Sequence, residues 1–325
     1  MAAERPVSRA RAIRLGAYAA TWLIWGSTYL AIRYAVAALP PFLLVALRSL
    51  AAGAVLVAWG RLRGHRPPSR AQGAAAAVTG ALYFLVCHGG LFWAEQRVAS
   101  GPAALMIATE HFWVVLLAWL LPGGRAPSGR ALAGIGVGLA GVALLSLGGG
   151  AGGIDPLGAA VLVLGAGAWA GGSLYFQGPR RPESSLYAAG APLLAGGAML
   201  LAASAAAGEP ARVQAADFTP LAVGSLLYLV VFGSVVAFTA FTWLVEKEGA
   251  GRAASYAYVN PLVAVLLGWA VAGEALTPRV LAAGAAIVAA VVLIATARRD
   301  GPVRVPLPAP PAPVRPPRRL REGEA

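Results

Sequence analysis

The stretch LMIATEHFWVVLLAWLL, Leu105 to Leu121, sets a carboxylate, Glu110, beside an imidazole, His111, in a strongly apolar run. On a water-facing helix the pair would need no explanation. Inside a bilayer, a charge near the centre costs about 2.5–3.5 kcal/mol even on lenient insertion scales. Two questions follow: does this run cross lipid, and what makes its two ionisable groups tolerable there?

Composition settles the first. Of 325 residues, 58% are hydrophobic and 12% charged, and the mean hydropathy is +0.70. Soluble domains carry roughly 25% charged residues, and half that share cannot cover a globular surface of this length. Apolar runs long enough to cross hydrocarbon, about 20 residues each, recur at 15–35, 41–59, 73–94, 103–121, 131–148, 157–177, 186–207, 220–245, 253–272 and 280–297. Gly- and Pro-rich junctions such as ALPPF, ASGPAA, LPGGRAPSGR and QGPRRPESS separate them. Lipid offers the backbone no hydrogen-bond partner, so spans of this length are helices. The expected fold class is an all-α integral membrane protein with ten transmembrane helices.

The net charge of +13 is distributed as a topology signal. With the N-terminus in the cytoplasm, the inner segments hold Arg5, Arg9, Arg11 and Arg14; Arg61, Arg63, Arg66 and Arg70; Arg125 and Arg130; Arg180 and Arg181; and Lys247 and Arg252. The outer loops hold only Arg97, Arg212 and Arg279. This bias places both termini in the cytoplasm and the protein in the plasma (inner) membrane, as a multi-pass chain. No aromatic residues interleave the basic clusters, so they do not read as a nucleic-acid surface. The basic start, residues 1–14, reads as a cytoplasmic segment leading into a retained first helix rather than a cleaved signal. Residues 298–325, rich in Pro and Arg, read as a disordered cytoplasmic tail able to touch anionic lipid headgroups. The single cysteine, Cys87, excludes an intramolecular disulfide.

The chain also repeats itself. WAEQRVASGPAALMIATEHFWVVLLAWLL, from Trp93, aligns without a gap on WLVEKEGAGRAASYAYVNPLVAVLLGWAV, from Trp243. Trp93 meets Trp243, Ala103 and Ala104 meet Ala253 and Ala254, and Trp119 meets Trp269 at an offset of 150, while GSTY at 26–29 is echoed by GSLY at 172–175. Five helices per copy force the second copy into the membrane with the opposite sense. Inverted repeats around a midplane site are a transporter architecture. The expected repeats are 15–148 and 157–297.

WLIWGSTYLAIRYAVAALPPFLLVALRSLAAG resembles the opening of EamA-type permeases of the drug/metabolite transporter superfamily, and AEQRVASGPAALMIAT and SYAYVNPLVAVLLGWAVAGE resemble that family's fourth- and ninth-helix segments. The resemblance spans residues 15–297. It implies ten helices in two inverted repeats, a central cavity and transport of a small metabolite, often export. Asn260-Pro261 follows the family pattern. His111 stands where relatives usually have proline, and Glu110 where they have an uncharged residue.

At a helical rise of about 1.5 Å per residue, Arg48, His88, Glu110 and His111 all lie roughly 10 Å below the outer face. Shared depth and opposite charge suggest that Arg48 faces Glu110 and removes most of the desolvation cost of both. Two roles stay open for that pair, a structural clasp or a border of the substrate cavity. Trp25 and Tyr29 share a helix face, and with Tyr256 they are candidates for the cavity wall, to which Ser27 and Asn260 would add polar contacts. Gly134 and Gly138 form a small-residue face for close helix approach, within the bundle or in a homodimer.

The function expected is secondary transport of a small-molecule substrate by a monomer or homodimer embedded in lipid. Either Glu110 carries a proton in exchange for substrate, with His111 as relay, or the protein is a plain facilitator. No cofactor, metal or nucleic-acid partner is implied. The competing class is an integral membrane enzyme acting on a small or lipid substrate. It would need a nucleophile–base or metal cluster, and the chain has three histidines with no HExxH motif and no Walker-type phosphate loop.

Overall fold

The computed structural model describes residues 5–122, 124–146, 154–248, 253 and 255–297, which form helices and their connections with no strand among them. The expected disordered tail, 298–325, lies outside the described residues. The stretch 5–36, here α1, is helical from Arg5–Ala19 through Ala20–Ile24 to Trp25–Val36, and so begins upstream of the expected start at 15. There follow α2 (Pro41–Leu62), α3 (Arg70–Ala94), α4 (Ser100–Leu120), α5 (Gly129–Ser146), α6 (Pro156–Tyr175), α7 (Ser185–Ala206), α8 (Pro220–Glu248), α9 (Tyr256–Ala272) and α10 (Pro278–Thr296). Eight of these, α2 to α8 and α10, are long and apolar enough to cross a membrane, and α9 is apolar but shorter.

Local chemistry sets the helix starts. Proline occupies the first turn of α2, α6, α8 and α10, where its missing N–H costs no intrahelical bond. Asp155, Thr219 and Thr277 cap α6, α8 and α10, and Ser69 forms a capping box with Gln72 at α3. Gly273 ends α9 in the left-handed conformation, at φ 65°, that a side chain would resist.

The outward faces are apolar rather than charged. Leu164, Leu227 and Leu266 are each more than half exposed. A surface of this kind, on helices of this length, fits hydrocarbon and not water.

Small residues allow the helices to approach. Gly134 and Gly141 of α5 lie against α10, where an added Cβ would come within 3.0 Å of the Ala290 and Ala283 carbonyls, and Gly138 lies against the Phe112 ring of α4. The GxxxG face is therefore used inside the bundle. At the crossing of α3 and α7, backbone meets backbone. A Cβ on Gly196 would sit 2.5 Å from the Gly80 carbonyl oxygen, and one on Gly80 would sit 2.6 Å from the Pro192 oxygen. Both obstacles are backbone, so neither side can give way by a rotamer change.

Gly196→Val is accordingly expected to lower stability by about 1–3 kcal/mol, the usual cost of overpacking. Gly136→Val is the control, since nothing lies within 4 Å of its added Cβ. Thermal unfolding in detergent or nanodiscs measures both. Equal midpoints for the two variants would contradict the backbone-to-backbone crossing.

Candidate functional site

The centre of the bundle is organised by interruptions in its helices. α4 turns at Ala108–Thr109 and restarts at Glu110, so Glu110 lies in the first turn of a new helical segment. The positive end of that segment's dipole favours a carboxylate. Three other helices widen into π-turns: α1 over Ala20–Ile24, α3 over Ala81–His88 and α8 over Leu229–Val236. A π-turn loosens the regular i→i−4 ladder and is frequent at functional sites.

Side chains, from other helices and from within the same turn, take up the carbonyls this releases. Trp25 Nε1 donates to the Gly233 carbonyl at 3.0 Å, and His88 Nδ1 lies 2.7 Å from the Tyr83 carbonyl. The Asn260 amide nitrogen, oriented as its surroundings require, donates to the carbonyls of Trp22 at 2.8 Å and Thr21 at 3.2 Å. Asn260 thus ties α9 to the widened turn of α1, and its donors are taken up by backbone.

Glu110 is buried at 5% exposure, and its Oε1 accepts a 2.7 Å hydrogen bond from the Tyr256 hydroxyl. The Tyr256 oxygen in turn accepts from Trp169 Nε1 at 3.2 Å. His111 Nδ1 lies 3.6 Å from the same carboxylate oxygen. Aromatic rings enclose this chain of bonds. Trp25 meets Tyr256 edge-on at 4.8 Å between centroids, Tyr83 stacks on Trp169 at 4.1 Å, and Phe241 lies 5.1 Å from Trp25.

The expected Arg48–Glu110 pair does not form. Arg48, 4% exposed, donates from Nε to Ser234 Oγ at 2.8 Å and lies 5.7 Å over the Phe92 ring. Equal depth on two helices constrains height but not rotation. α2 packs on α7 and the π-turn of α8, and the second segment of α4 packs on α6, so the two side chains point to different neighbours.

Of the residues singled out in sequence, the structure brings Trp25 and Tyr256 against Trp169, with Glu110 bonded to Tyr256 and His111 beside Glu110. His88 joins them with its ring 5.4 Å from Trp169. Tyr29 is buried within electrostatic reach of Glu110. Ser27 turns to α8, sharing a 2.6 Å hydrogen bond with the Tyr228 hydroxyl. Sequence reasoning missed Trp169, Gly233, Ser234, Phe238 and Phe241. Three of these left a signal: Trp169 is a lone ring in the small-residue run GAGAWAGG, and Gly233-Ser234 interrupts the apolar run LVVFGSVV.

A second polar cluster lies at one end of the bundle. Glu274, after α9, accepts from the backbone N–H and hydroxyl of Ser100 at 2.9 and 2.7 Å and from Gly101 N–H at 3.1 Å, and it pairs with Arg33 of α1. The carboxylate caps the start of α4 while holding α1 and α9 beside it. Glu95, which follows α3, is 5% exposed with both carboxylate oxygens lacking a hydrogen-bond partner. Burial, and then the neighbouring Glu274 charge, hold Glu95 well above the usual carboxylate range, against the opposing pull of Arg33.

Comparison with known proteins places these features in context. The EamA-like transporter family matches twice, over residues 15–147 and 156–296. An uncharacterized inner membrane transporter of Escherichia coli K12, YedA, is 39% identical over 280 residues, 86% of this chain and 89% of its own length. An uncharacterized transporter of Bacillus subtilis, YvbV, is 27% identical over 84% of this chain and 88% of its own. A solved crystal structure aligns over 87% of this chain and 96% of its own with a TM-score of 0.60 and 22% identity, a likeness of fold alone.

Glu95 yields a pH prediction. A carboxyl whose pKa is raised on folding is neutral in the folded state, so its contribution to stability is complete below the unfolded value, about 4.3, and is lost as pH rises through the folded value. Wild-type stability is expected to decline with rising pH above that point, and Glu95→Gln to remove part of the decline. Unfolding midpoints between about pH 4 and 9 measure it. Parallel profiles for the two proteins would contradict the assignment.

Proposed function

Because the chain belongs to the EamA-like transporter family, we propose that it is a secondary transporter that moves a small metabolite across the plasma (inner) membrane, in the direction of export, by alternating access around Glu110. The protein is then a multi-pass membrane protein of ten helices in two inverted repeats, 15–148 and 157–297, with both termini cytoplasmic.

The observation that carries this reading is the origin of the central site. Glu110, Trp25 and Tyr83 come from the first family match, and Trp169, Tyr256 and Phe241 come from the second. A site assembled across a repeat interface, at a break in a helix, is where transporters of inverted-repeat design hold their cargo. The π-turns add support, since Ala81–His88 and Leu229–Val236 fall at nearly the same place in the two halves.

In this mechanism Glu110 is the proton carrier. Its hydrogen bond from Tyr256 stabilises the ionised form, and burial opposes it. When water reaches the site from one side or the other, that balance shifts and a proton is taken or released. His111, its Nδ1 3.6 Å from the carboxylate, is placed to pass the proton on.

Two experiments test the proposal. In a Cys87→Ala background, single cysteines at Ala99 and Ala250 are expected to react with an impermeant thiol reagent from opposite faces of the membrane. Reaction of both from the same face removes the inverted-repeat arrangement. In liposomes, a pH gradient is expected to drive solute uphill in wild type, and Glu110→Gln to abolish that drive while exchange continues. Uphill movement that persists in Glu110→Gln leaves Glu110 a structural group.

A further inference from the structure

Arg48 is a buried cation with no ion-pair partner among the described residues. Its Nη1 has no hydrogen-bond partner, and its Nε is engaged only by the neutral Ser234 hydroxyl. A buried guanidinium is ordinarily paired, because desolvation without a compensating anion is costly. With Nε occupied, the edge left over is the Nη1–Nη2 end, the fork that receives a carboxylate through two parallel hydrogen bonds.

The surroundings connect the guanidinium to the central site. Gly233 faces the guanidinium, and a Cβ there would lie 3.3 Å from Nη2 and 3.1 Å from Thr28. The Gly233 carbonyl holds the Trp25 indole, and Trp25 packs on the tyrosine that bonds Glu110. On the other side, the Phe92 ring offers an apolar wall.

We propose that Arg48 is the seat for an anionic group of the transported solute, a carboxylate or comparable oxyanion, which docks between α2 and the π-turn of α8 in contact with the aromatic site. The proposal rests on the transport reading above and narrows its substrate class.

The test is a binding measurement on the full-length protein in lipid nanodiscs, with thermal unfolding followed by tryptophan fluorescence. Sodium acetate, sodium benzoate and sodium phosphate are titrated against sodium chloride at equal ionic strength, with choline chloride as the cationic control. A ligand of the folded state raises the midpoint with concentration. At least one oxyanion is expected to raise it above the chloride baseline. Arg48→Gln is expected to abolish the shift. Arg48→Lys, which keeps the charge without the fork, is expected to weaken apparent affinity about tenfold, and Ser234→Ala, which leaves the guanidinium in place, to retain binding.

No shift with any of the three oxyanions overturns the proposal, as does a shift that survives Arg48→Gln. Stabilisation by chloride alone also overturns it, since the partner is then a counter-ion from the medium. Should Arg48→Gln not fold, unchanged affinity in Arg48→Lys has the same consequence. The two readings fail separately. Oxyanion binding in a protein that moves no solute in liposomes removes the transport reading and keeps the site, and transport without oxyanion binding does the reverse.

Discussion

Every backbone N–H and C=O inside a bilayer has to find its partner within the protein. This constraint shapes the molecule twice. It first makes the chain helical along its apolar runs. It then acts wherever a helix departs from regularity, because a widened turn releases carbonyls that lipid cannot satisfy. Trp25, His88 and Asn260 each meet such a demand across or along the bundle. The interruptions and the polar side chains are therefore one arrangement. The π-turns create acceptors, the donors lock neighbouring helices onto them, and the bundle centre acquires polarity without exposing backbone to lipid.

Glu110 is tolerated by the same logic. Its partner is not an opposite charge but a hydroxyl, a helix start and a nearby imidazole. A neutral donor stabilises a carboxylate without committing it to one protonation state, whereas a guanidinium at contact distance would hold it ionised. That difference separates a group able to exchange a proton from a structural salt bridge. A committed ion pair lies instead at the bundle end, where Arg33 and Glu274 join three helices and Ser100 adds two more donors. One carboxylate there is fully committed, and its neighbour Glu95 is left without a hydrogen-bond partner.

Close packing holds these elements in register. The α3–α7 crossing at Gly80 and Gly196 brings backbone against backbone, and α3 carries Tyr83 and His88 just beyond it. The α5–α10 contact, built on Gly134 and Gly141, lies beside Phe112 of α4 and so backs the segment that presents Glu110. Small residues thus fix helix positions, and helix positions fix the aromatic site.

The membrane class, the helical spans, the duplicated segment and the family resemblance were all legible in the sequence, because hydropathy, span length and internal repetition are properties of order along the chain. The peculiarity of Glu110 and His111 was legible too, since an ionisable pair in an apolar run stands out without coordinates. What the residues could not disclose was rotation about the helix axes. Depth follows from counting residues at a fixed rise, but azimuth follows from packing, and packing sent Arg48 to Ser234 and Glu110 to Tyr256. The π-turns were equally hidden, since Ala20–Ile24, Ala81–His88 and Leu229–Val236 share no common residue pattern. Only the tertiary structure decided that Trp169 would stand between the halves, because a tryptophan among small residues is as consistent with a lipid face as with a buried site until its indole N–H finds an acceptor.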